Sequence, residues 1–228
     1  MGLRHFFHLH FFLAVIFGIG FLFSISSVEF PRGKVSDDTG YELTLPLLKW
    51  MSGGFWVASH DYLWLEVVQE LGEKELGKSA ARKLAHDYRL MQGLDPFFFD
   101  AYEQGGLAFD ILFRDPDASI EVLSRGIEVI EKRNPPKELW GRAFTLYLQR
   151  ALVFAHRKLD FAFARRDYLK ASDAPGAPSY LSKMKVWLEK EGAEKTLARK
   201  MLPILISNTA DPILRQYYQR QMESYGKD

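Results

Sequence analysis

The chain has 228 residues, with 30 Lys and Arg side chains against 29 Asp and Glu side chains, and it contains no cysteine. This length suits one domain or a short array of repeats and excludes a large multidomain enzyme. The lack of cysteine excludes disulfide scaffolds, thiol catalysis and cysteine-based zinc sites. A net charge of +1 argues against a protein that binds nucleic acid electrostatically.

The first 28 residues form an apolar segment unlike the rest of the chain. The run from Phe11 to Phe23 has no hydrogen-bonding side chain, and residues 6–28 would extend about 34 Å as a helix, which is enough to cross a bilayer. We interpret the segment as an uncleaved signal anchor. A secretory signal peptide cleaved beside Ser24 and Ser26 is the main alternative, and the length disfavours a buried core helix.

Charges on the two sides of the apolar run predict how the chain is oriented. The amino terminus and Arg4 precede the run, whereas the charges from Glu29 to Asp38 sum to minus one. Because positive charge is retained in the cytoplasm, we expect a single-pass inner-membrane protein whose helical domain lies in the periplasm. A domain that faces the cytoplasm is the alternative.

Three histidines precede the apolar run: His5, His8 and His10. Imidazoles bind zinc, copper and nickel, but no carboxylate or thiol accompanies these three. We therefore interpret them as a polar collar at the membrane interface, and we expect neither a metal site nor a cofactor.

Residues 29–44 are polar and predict a linker, which leads into a helical domain over residues 45–228. In this domain, apolar side chains recur every three or four residues, as at Phe55, Ala58 and Tyr62, and this spacing predicts helices with one apolar face. Signals for β-strands are almost absent. Proline-containing breaks divide the domain into segments of about 15 to 20 residues. They fall at Asp95-Pro96, Asp115-Pro116, Asn134-Pro135-Pro136, Asp173 to Pro178, and Asp211-Pro212.

Residues 145–178 fit a frame of about 34 residues in which two helices form a hairpin. Apolar and small residues occupy its positions 4, 7, 8, 11, 20, 24 and 27: Leu148, Ala151, Leu152, Ala155, Ala164, Tyr168 and Ala171. Small residues at positions 20 and 27 allow two helices to approach closely, and the aromatic residue at position 24 fills the space between hairpins. The pattern resembles the tetratricopeptide repeat.

Two other windows, 99–132 and 178–211, match the frame less well. The first holds suitable residues at positions 4, 8, 11, 20 and 24: Tyr102, Gly106, Phe109, Ala118 and Val122. Arg125, however, stands where a small residue is expected. The second window keeps the apolar pattern and lacks the small residues, and an earlier hairpin over residues 55–92 does not fit the frame.

Several phrases are also similar to those of bacterial membrane-anchored proteins that carry such repeats: Asp61-Tyr-Leu-Trp-Leu65, Leu94-Asp-Pro-Phe97, Ala101-Tyr-Glu-Gln-Gly-Gly106 and Ala174-Pro-Gly-Ala-Pro178. The resemblance implies an all-α, right-handed superhelical stack of about four hairpins, closed by a C-terminal helix near residues 212–225. It also implies a membrane-anchored scaffold or adaptor, not an enzyme, that binds a protein or peptide segment on its concave face.

The resemblance assigns the concave face to a fixed set of positions in each first helix. On this sequence they hold Asp100, Glu103, Leu107, Asp110 and Ile111, and then Leu146, Gln149, Val153, His156 and Arg157. We predict that the polar members form the partner-binding groove: Asp100, Glu103, Asp110, Gln149, His156 and Arg157. The alternative is that these side chains are solvated helix faces.

Charge is distributed unevenly along the predicted stack. Residues 95–121 sum to minus six, and residues 140–172 sum to plus five. Such asymmetry orients a charged partner. The alternative, which we favour slightly, is that the charges pair between neighbouring hairpins and contribute about 0–1 kcal/mol each.

The aromatic residues carry a further expectation. We expect packing between helices to account for most of the tryptophans, and an exposed one to mark a binding site. They are Trp50, Trp56, Trp64, Trp140 and Trp187. Three successive phenylalanines, Phe97, Phe98 and Phe99, cannot all face inward at a helix start, so at least one should be exposed or lie against the preceding hairpin.

Catalytic motifs are missing from the sequence, including metalloprotease, nucleophile-elbow and phosphate-loop patterns. One alternative is an all-helical envelope enzyme that acts on peptidoglycan with a single carboxylate, which would leave little trace in a sequence. A Glu with a raised pKa in a deep cleft would support it. The other alternative is a cytoplasm-facing adaptor for a motility, polarity or signalling complex.

Overall fold

A computed structural model of the chain describes residues 44–72, 77–133 and 141–226, together with residues 135 and 138. Every secondary-structure element in these residues is helical, so the prediction of an all-α chain is confirmed for this part. The α-helices described are α1 (Leu45–Met51), α2 (Trp56–Leu71), α3 (Lys78–Leu94), α4 (Phe99–Leu107), α5 (Pro116–Arg133), α6 (Ala143–Val153), α7 (Phe161–Asp173), α8 (Ser179–Leu188), α9 (Ala193–Asn208) and α10 (Pro212–Gly226).

The predicted proline breaks coincide with helix ends. Helices α5 and α10 begin at Pro116 and Pro212, and α8 begins directly after Pro178. Proline is tolerated in the first turn because the N–H that it lacks has no partner within the helix there. In contrast, Pro203 lies inside α9 without ending that helix.

Two aspartates, Asp115 and Asp160, cap the starts of helices α5 and α7. The Asp115 Oδ1 atom accepts a hydrogen bond from the Ala118 N–H at 3.0 Å, before α5. In the same way, the Asp160 Oδ1 atom accepts from the Phe163 N–H at 3.0 Å, before α7. Such caps satisfy N–H groups that a helix start leaves unpaired.

Helices α4 and α6 both end in a π-helical turn, Ala108–Leu112 and Phe154–Lys158. A left-handed residue follows each turn, Arg114 with φ 53° and Leu159 with φ 52°. A π-helical turn holds one residue more than an α-turn. The two hairpins α4–α5 and α6–α7 are therefore built alike, and their capping aspartates lie 45 residues apart, at 115 and 160.

This extra residue shifts the repeat frame. Matching positions of the two hairpins are Tyr102 and Tyr147, Gly106 and Ala151, Phe109 and Phe154, Ser119 and Ala164, Leu123 and Tyr168, and Gly126 and Ala171. The second helix of window 99–132 is thus displaced by one residue from the predicted frame. Gly126, not Arg125, is the small residue at the position where Arg125 seemed not to fit.

Close approach of helices requires that small residue. A Cβ atom on Gly126 would lie 2.7 Å from Leu146 Cδ1 and 2.7 Å from Tyr102 Cγ. A separation of this size is well inside van der Waals contact, so any side chain at residue 126 would push α4 and α6 away from α5.

Each helix packs most extensively against helices one or two places away in the chain. The pairs α2–α3, α4–α5, α6–α7 and α8–α9 pack internally, α5 also packs against α6, and the first helices α4 and α6 lie side by side. The buried apolar side chains form three clusters along the chain, centred on α2–α4, on α4–α6 and on α6–α9. The predicted C-terminal helix is present as α10, which packs on α9.

Several predictions concern residues outside the described part of the chain: the anchor over residues 6–28, the linker up to residue 43, the three N-terminal histidines and Trp140. Within residues 44–72, 77–133 and 141–226, no helix combines the length and the apolar composition that crossing a bilayer requires.

Candidate functional site

The six predicted groove residues all lie on α4, on α6 or on the π-helical turns that end these helices. Because α4 and α6 lie side by side, the structure brings one acidic member of the set, Asp110, next to a basic one, Arg157. We call this surface the α4–α6 face. Its chemistry differs between its two ends and its middle.

At the first end, Arg142 joins α6 to α4. Its Nη2 atom lies 2.8 Å from the Asp100 Oδ1 atom, and it also donates to the Glu103 carboxylate. The Thr145 hydroxyl donates to the same carboxylate. Neither Arg142 nor Thr145 was among the predicted groove residues. Arg142 precedes the first turn of α6 and lies outside the repeat frame, and Thr145 is the first residue of window 145–178, which the resemblance does not assign to the concave face.

At the other end, the two π-helical turns are joined to each other. The Arg157 Nε atom lies 2.7 Å from Asp110 Oδ1, and Arg157 Nη2 donates to the Asp110 backbone carbonyl at 3.0 Å. Two donors of one guanidinium thereby bind a side chain and a backbone on α4. This geometry fixes the spacing of the two turns.

Between these ends lie two polar groups that the pairing does not use. The Gln149 Oε1 atom is buried and has no hydrogen-bond partner. Burial lowers the pKa of His156, and the nearby Arg157 lowers it further, while Asp110 opposes both effects. The His156 imidazole is therefore neutral at pH 7.

Two residues predicted to line this face are buried instead: Leu146 and Val153 belong to the cluster of α4–α6. The reason is the frame shift described above, because the π-helical turn moves the first helix by one residue relative to the second. On α4, in contrast, the predicted apolar positions are open. Leu107 is 39% exposed and Ile111 is 58% exposed.

Pairing between hairpins accounts for much of the charge asymmetry along the chain. The Lys158 Nζ atom lies 2.6 Å from Asp117 Oδ1, and the Lys170 Nζ atom lies 2.6 Å from Glu131 Oε1. Together with the Arg142 and Arg157 pairs, the Lys158 pair joins the acidic region 95–121 to the basic region 140–172. Glu131 lies beyond the acidic region, so the Lys170 pair joins the two hairpins outside it. The expectation that these charges pair between hairpins is confirmed.

The tryptophans only partly follow the prediction. Trp64 and Trp187 are half-buried against the core. Trp50 is 80% exposed, and Trp56 is exposed as well. The expectation that packing accounts for most of them is therefore wrong for α1 and the start of α2.

The three successive phenylalanines behave as predicted. Phe97 is exposed, Phe99 is buried, and Phe98 packs against the preceding hairpin. There, its ring centroid lies 4.3 Å from that of His60 and 5.2 Å from that of Trp64.

The single-carboxylate enzyme would be supported by a glutamate with a raised pKa in a deep cleft. Among the described residues, the carboxyl with a raised pKa is instead that of Asp87 on α3. Burial raises the pKa of Asp87 to about 6, although Lys83, whose Nζ atom lies 3.8 Å from Oδ2, opposes this effect. Lys83 also donates to Glu70 of α2 at 2.7 Å. Asp87 lines neither the pocket that α1, α3 and α5 form nor the smaller pocket beside Lys49, so neither of them is a cleft for this carboxyl, and it does not by itself support the single-carboxylate enzyme.

No group of three or more His, Asp or Glu side chains among the described residues is arranged to hold a metal ion. No family model matches the sequence, and no curated protein or solved structure matches it either. The resemblance to tetratricopeptide repeats is therefore a prediction that rests on this chain's own residues.

Proposed function

We propose that this chain is a membrane-anchored scaffold of tetratricopeptide-like hairpins whose α4–α6 face binds a segment of another protein. The observation that carries the proposal is the exposure of Leu107 and Ile111 beside charges that are already paired. Apolar side chains four residues apart lie on one side of a helix. They suit a partner segment that supplies its own apolar side chains.

The surrounding charges support this assignment. Glu103, one turn before Leu107, is paired with Arg142, and Asp110, about one turn after it, is paired with Arg157. An apolar centre with a polar rim is the usual composition of a protein interface. The paired charges hold the two helices in place, so the apolar residues are presented on a rigid surface.

Site-specific photo-crosslinking in the full-length, membrane-bound protein tests the proposal. We expect a photoreactive residue at Ile111 to yield a crosslinked protein, and the same residue at Ile213 of α10, which is 75% exposed, to yield none. Leu107→Glu should remove the adduct while the thermal unfolding temperature stays within a few degrees. Equal adducts at both positions, or an adduct unaffected by Leu107→Glu, would show that the α4–α6 face is not the binding surface.

The membrane side of the scaffold requires a separate measurement. Protease accessibility of a C-terminally tagged chain in whole spheroplasts distinguishes the two orientations. Digestion from outside, with the full-length mass retained beforehand, supports an anchored envelope scaffold. Protection until lysis would place the hairpins in the cytoplasm and direct the partner search to motility, polarity or signalling complexes.

A further inference from the structure

A second concave region lies away from the α4–α6 face. It is an open pocket of about 580 Å³, formed by α1, α3 and α5 with Pro96 of the α3–α4 junction and Tyr102 of α4. None of the six predicted groove residues lines it. Its function is therefore separate from the proposed binding of a protein segment.

Cations dominate the lining of this pocket. Five basic residues line it, Lys49, Arg89, Arg125, Lys132 and Arg133, against the single acid Glu128. Arg89 of α3 and Arg125 of α5 share one carboxylate, that of Glu121. Its Oε1 atom lies 3.6 Å from Arg89 Nη2 and 2.6 Å from Arg125 Nη2. Lys132 pairs with Glu128 at 2.9 Å.

Two of the five cations lie outside these ion pairs. Lys49 of α1 and Arg133 of α5 have no ion-pair partner among the described residues. A pocket with surplus positive charge and low-dielectric walls attracts anions. Charge alone leaves the class of anion open.

The side chain of Gln92 indicates which class of anion fits the pocket. Gln92 is one of the residues that line the pocket, it is only 8% exposed, and its Nε2 and Oε1 atoms are both buried without a hydrogen-bond partner. Buried amides without partners are rare in folded proteins because each unmade bond is unfavourable. A ligand that satisfies Gln92 has to accept a hydrogen bond from Nε2 and donate one to Oε1.

We propose that this pocket binds a phosphate group together with a hydroxyl of the same ligand. Once the Gln92 side chain turns into the pocket, a phosphoryl oxygen accepts from its Nε2 atom and pairs with Lys49 and Arg133, and the hydroxyl donates to its Oε1 atom. Inorganic phosphate and the headgroup of an anionic lipid such as phosphatidylglycerol both offer this combination. Sulfate at neutral pH has the charge but lacks the donor.

The surroundings favour the lipid as the source of the phosphate. A smaller pocket of about 280 Å³ shares Lys49 and Leu94 with the first and extends to Trp56. Trp50 near the end of α1 and Phe55 directly before α2 are strongly exposed. Exposed aromatic rings beside basic side chains are typical of surfaces at the membrane interface.

Thermal unfolding of the full-length protein in a neutral detergent tests the site, with phosphate compared with sulfate at equal ionic strength. Both anions strengthen folded proteins in general, so the informative quantity is the excess stabilisation by phosphate. We expect this excess in the native protein and not in Gln92→Leu. We also expect Lys49→Ala/Arg133→Ala to lower the apparent phosphate affinity about tenfold or more.

Two controls separate binding from folding. Lys183→Ala/Lys190→Ala removes the same charge from exposed positions of α8 and the turn after it, and it should keep the phosphate excess. Gln92→Leu should raise the unfolding temperature without phosphate, because it removes an unpaired buried amide. An absent phosphate excess in the native protein, or an excess that survives Gln92→Leu, would overturn a free-phosphate site.

A short-chain lipid identifies the source. If dioctanoyl phosphatidylglycerol stabilises the native protein at far lower concentration than inorganic phosphate, and dioctanoyl phosphatidylcholine does not, the ligand is a lipid headgroup. If phosphate alone is as effective, the ligand is a soluble phosphate. If phosphate and dioctanoyl phosphatidylglycerol stabilise the native protein no more than they stabilise the Lys49→Ala/Arg133→Ala variant, the pocket is not a phosphate site.

Discussion

Hairpins α4–α5 and α6–α7 share their π-helical turns, caps and close-packed small residues, but at one pair of matching positions an apolar contact in the first hairpin is replaced by charged side chains in the second. In the first hairpin the pair is Gly105 and Val122, and a Cβ atom on Gly105 would lie 3.0 Å from Val122 Cγ1. In the second it is Arg150 and Asp167, which form two hydrogen bonds of 2.6 and 2.9 Å. One hairpin is therefore joined by an apolar contact and the other by a buried ion pair.

The two hairpins have the same shape although one has an apolar contact and the other an ion pair at these positions, so the chemistry of this pair does not determine the shape. The flanking residues that the hairpins share hold the helices at the required distance. The differing pair determines how much stability a hairpin loses when one of the two residues is substituted. Asp167 is fully buried, and Arg150 also donates to Ser124 of α5 at 2.8 Å. An ion pair of this kind specifies which helices meet, and it is costly when one partner is removed.

The largest expected effect comes from breaking that ion pair. Asp167→Asn leaves the Arg150 guanidinium buried without a counter-charge, and we expect the free energy of unfolding to fall by about 3–5 kcal/mol. Urea unfolding of the full-length protein in detergent measures it. Arg150→Met/Asp167→Leu, which imitates the apolar contact of α4–α5, should recover most of the loss. A loss below about 1 kcal/mol for Asp167→Asn would contradict the importance of the pair.

Asp87 of α3 is a buried aspartate with a weaker partner, and it should make stability depend on pH. Its pKa is about 6 in the folded chain against 3.8 as the ordinary value, so the folded chain binds this proton more tightly. The resulting stabilisation is complete below about pH 4 and is lost as the pH rises through 6, with a total of about 2–3 kcal/mol.

The control for this prediction is Asp87→Asn, which cannot titrate at that position. Lys83, Glu70, Glu66 and His86 also act on Asp87, and they remain in the variant. The informative quantity is therefore the free energy of unfolding of the native chain minus that of the variant. It should fall by about 2 kcal/mol between pH 4.5 and pH 7.5, and a rise would contradict the assignment.

A moderate loss of stability is expected at Gly126, where the first hairpin has glycine and the second has Ala171. Gly126→Ala places a methyl group against Leu146 and Tyr102, and we expect a net loss of about 1–2 kcal/mol even though alanine favours the helix. Gly141→Ala is the matched control, because a Cβ atom there meets nothing within 4 Å. Equal unfolding temperatures for the two variants would show that the hairpins have room to relax.

The smallest effect is expected at the surface pair between the π-helical turns. Arg157→Ala removes the bonds to Asp110, but the Arg157 side chain is more than one-third exposed, so the loss should be below about 1 kcal/mol. The loss should shrink further in 1 M salt, where surface charges are screened. A large effect that does not depend on salt would mean that this pair contributes to the core.

Much of the fold follows from local signals in the sequence. Prolines and aspartates mark helix boundaries through the missing N–H of one and the capping carboxylate of the other, as at Asp115-Pro116. The apolar spacing gives the helices between these marks. The turns before α2 and α9 have no proline, and there the boundary depends on glycines such as Gly53 and Gly192, which have positive φ.

The candidate site was harder to predict because one inserted residue alters every later position. A π-helical turn leaves no simple mark in composition, so a frame of fixed length placed Arg125 at the position of Gly126 and assigned Leu146 and Val153 to an exposed face. Partners such as Arg142 depend on where a helix starts in space. The phosphate pocket depends on how α1 packs against α3, which the sequence pattern alone does not determine.

The succession of three core clusters along the chain has a consequence for folding. Each helix packs most extensively on those one or two places away in sequence, so the topology has low contact order, which favours rapid folding. The cluster centred on α2–α4 needs nothing from α6 to α10. A chain that emerges amino terminus first can therefore complete its core vectorially, one hairpin after another, and each hairpin serves as the template for the next.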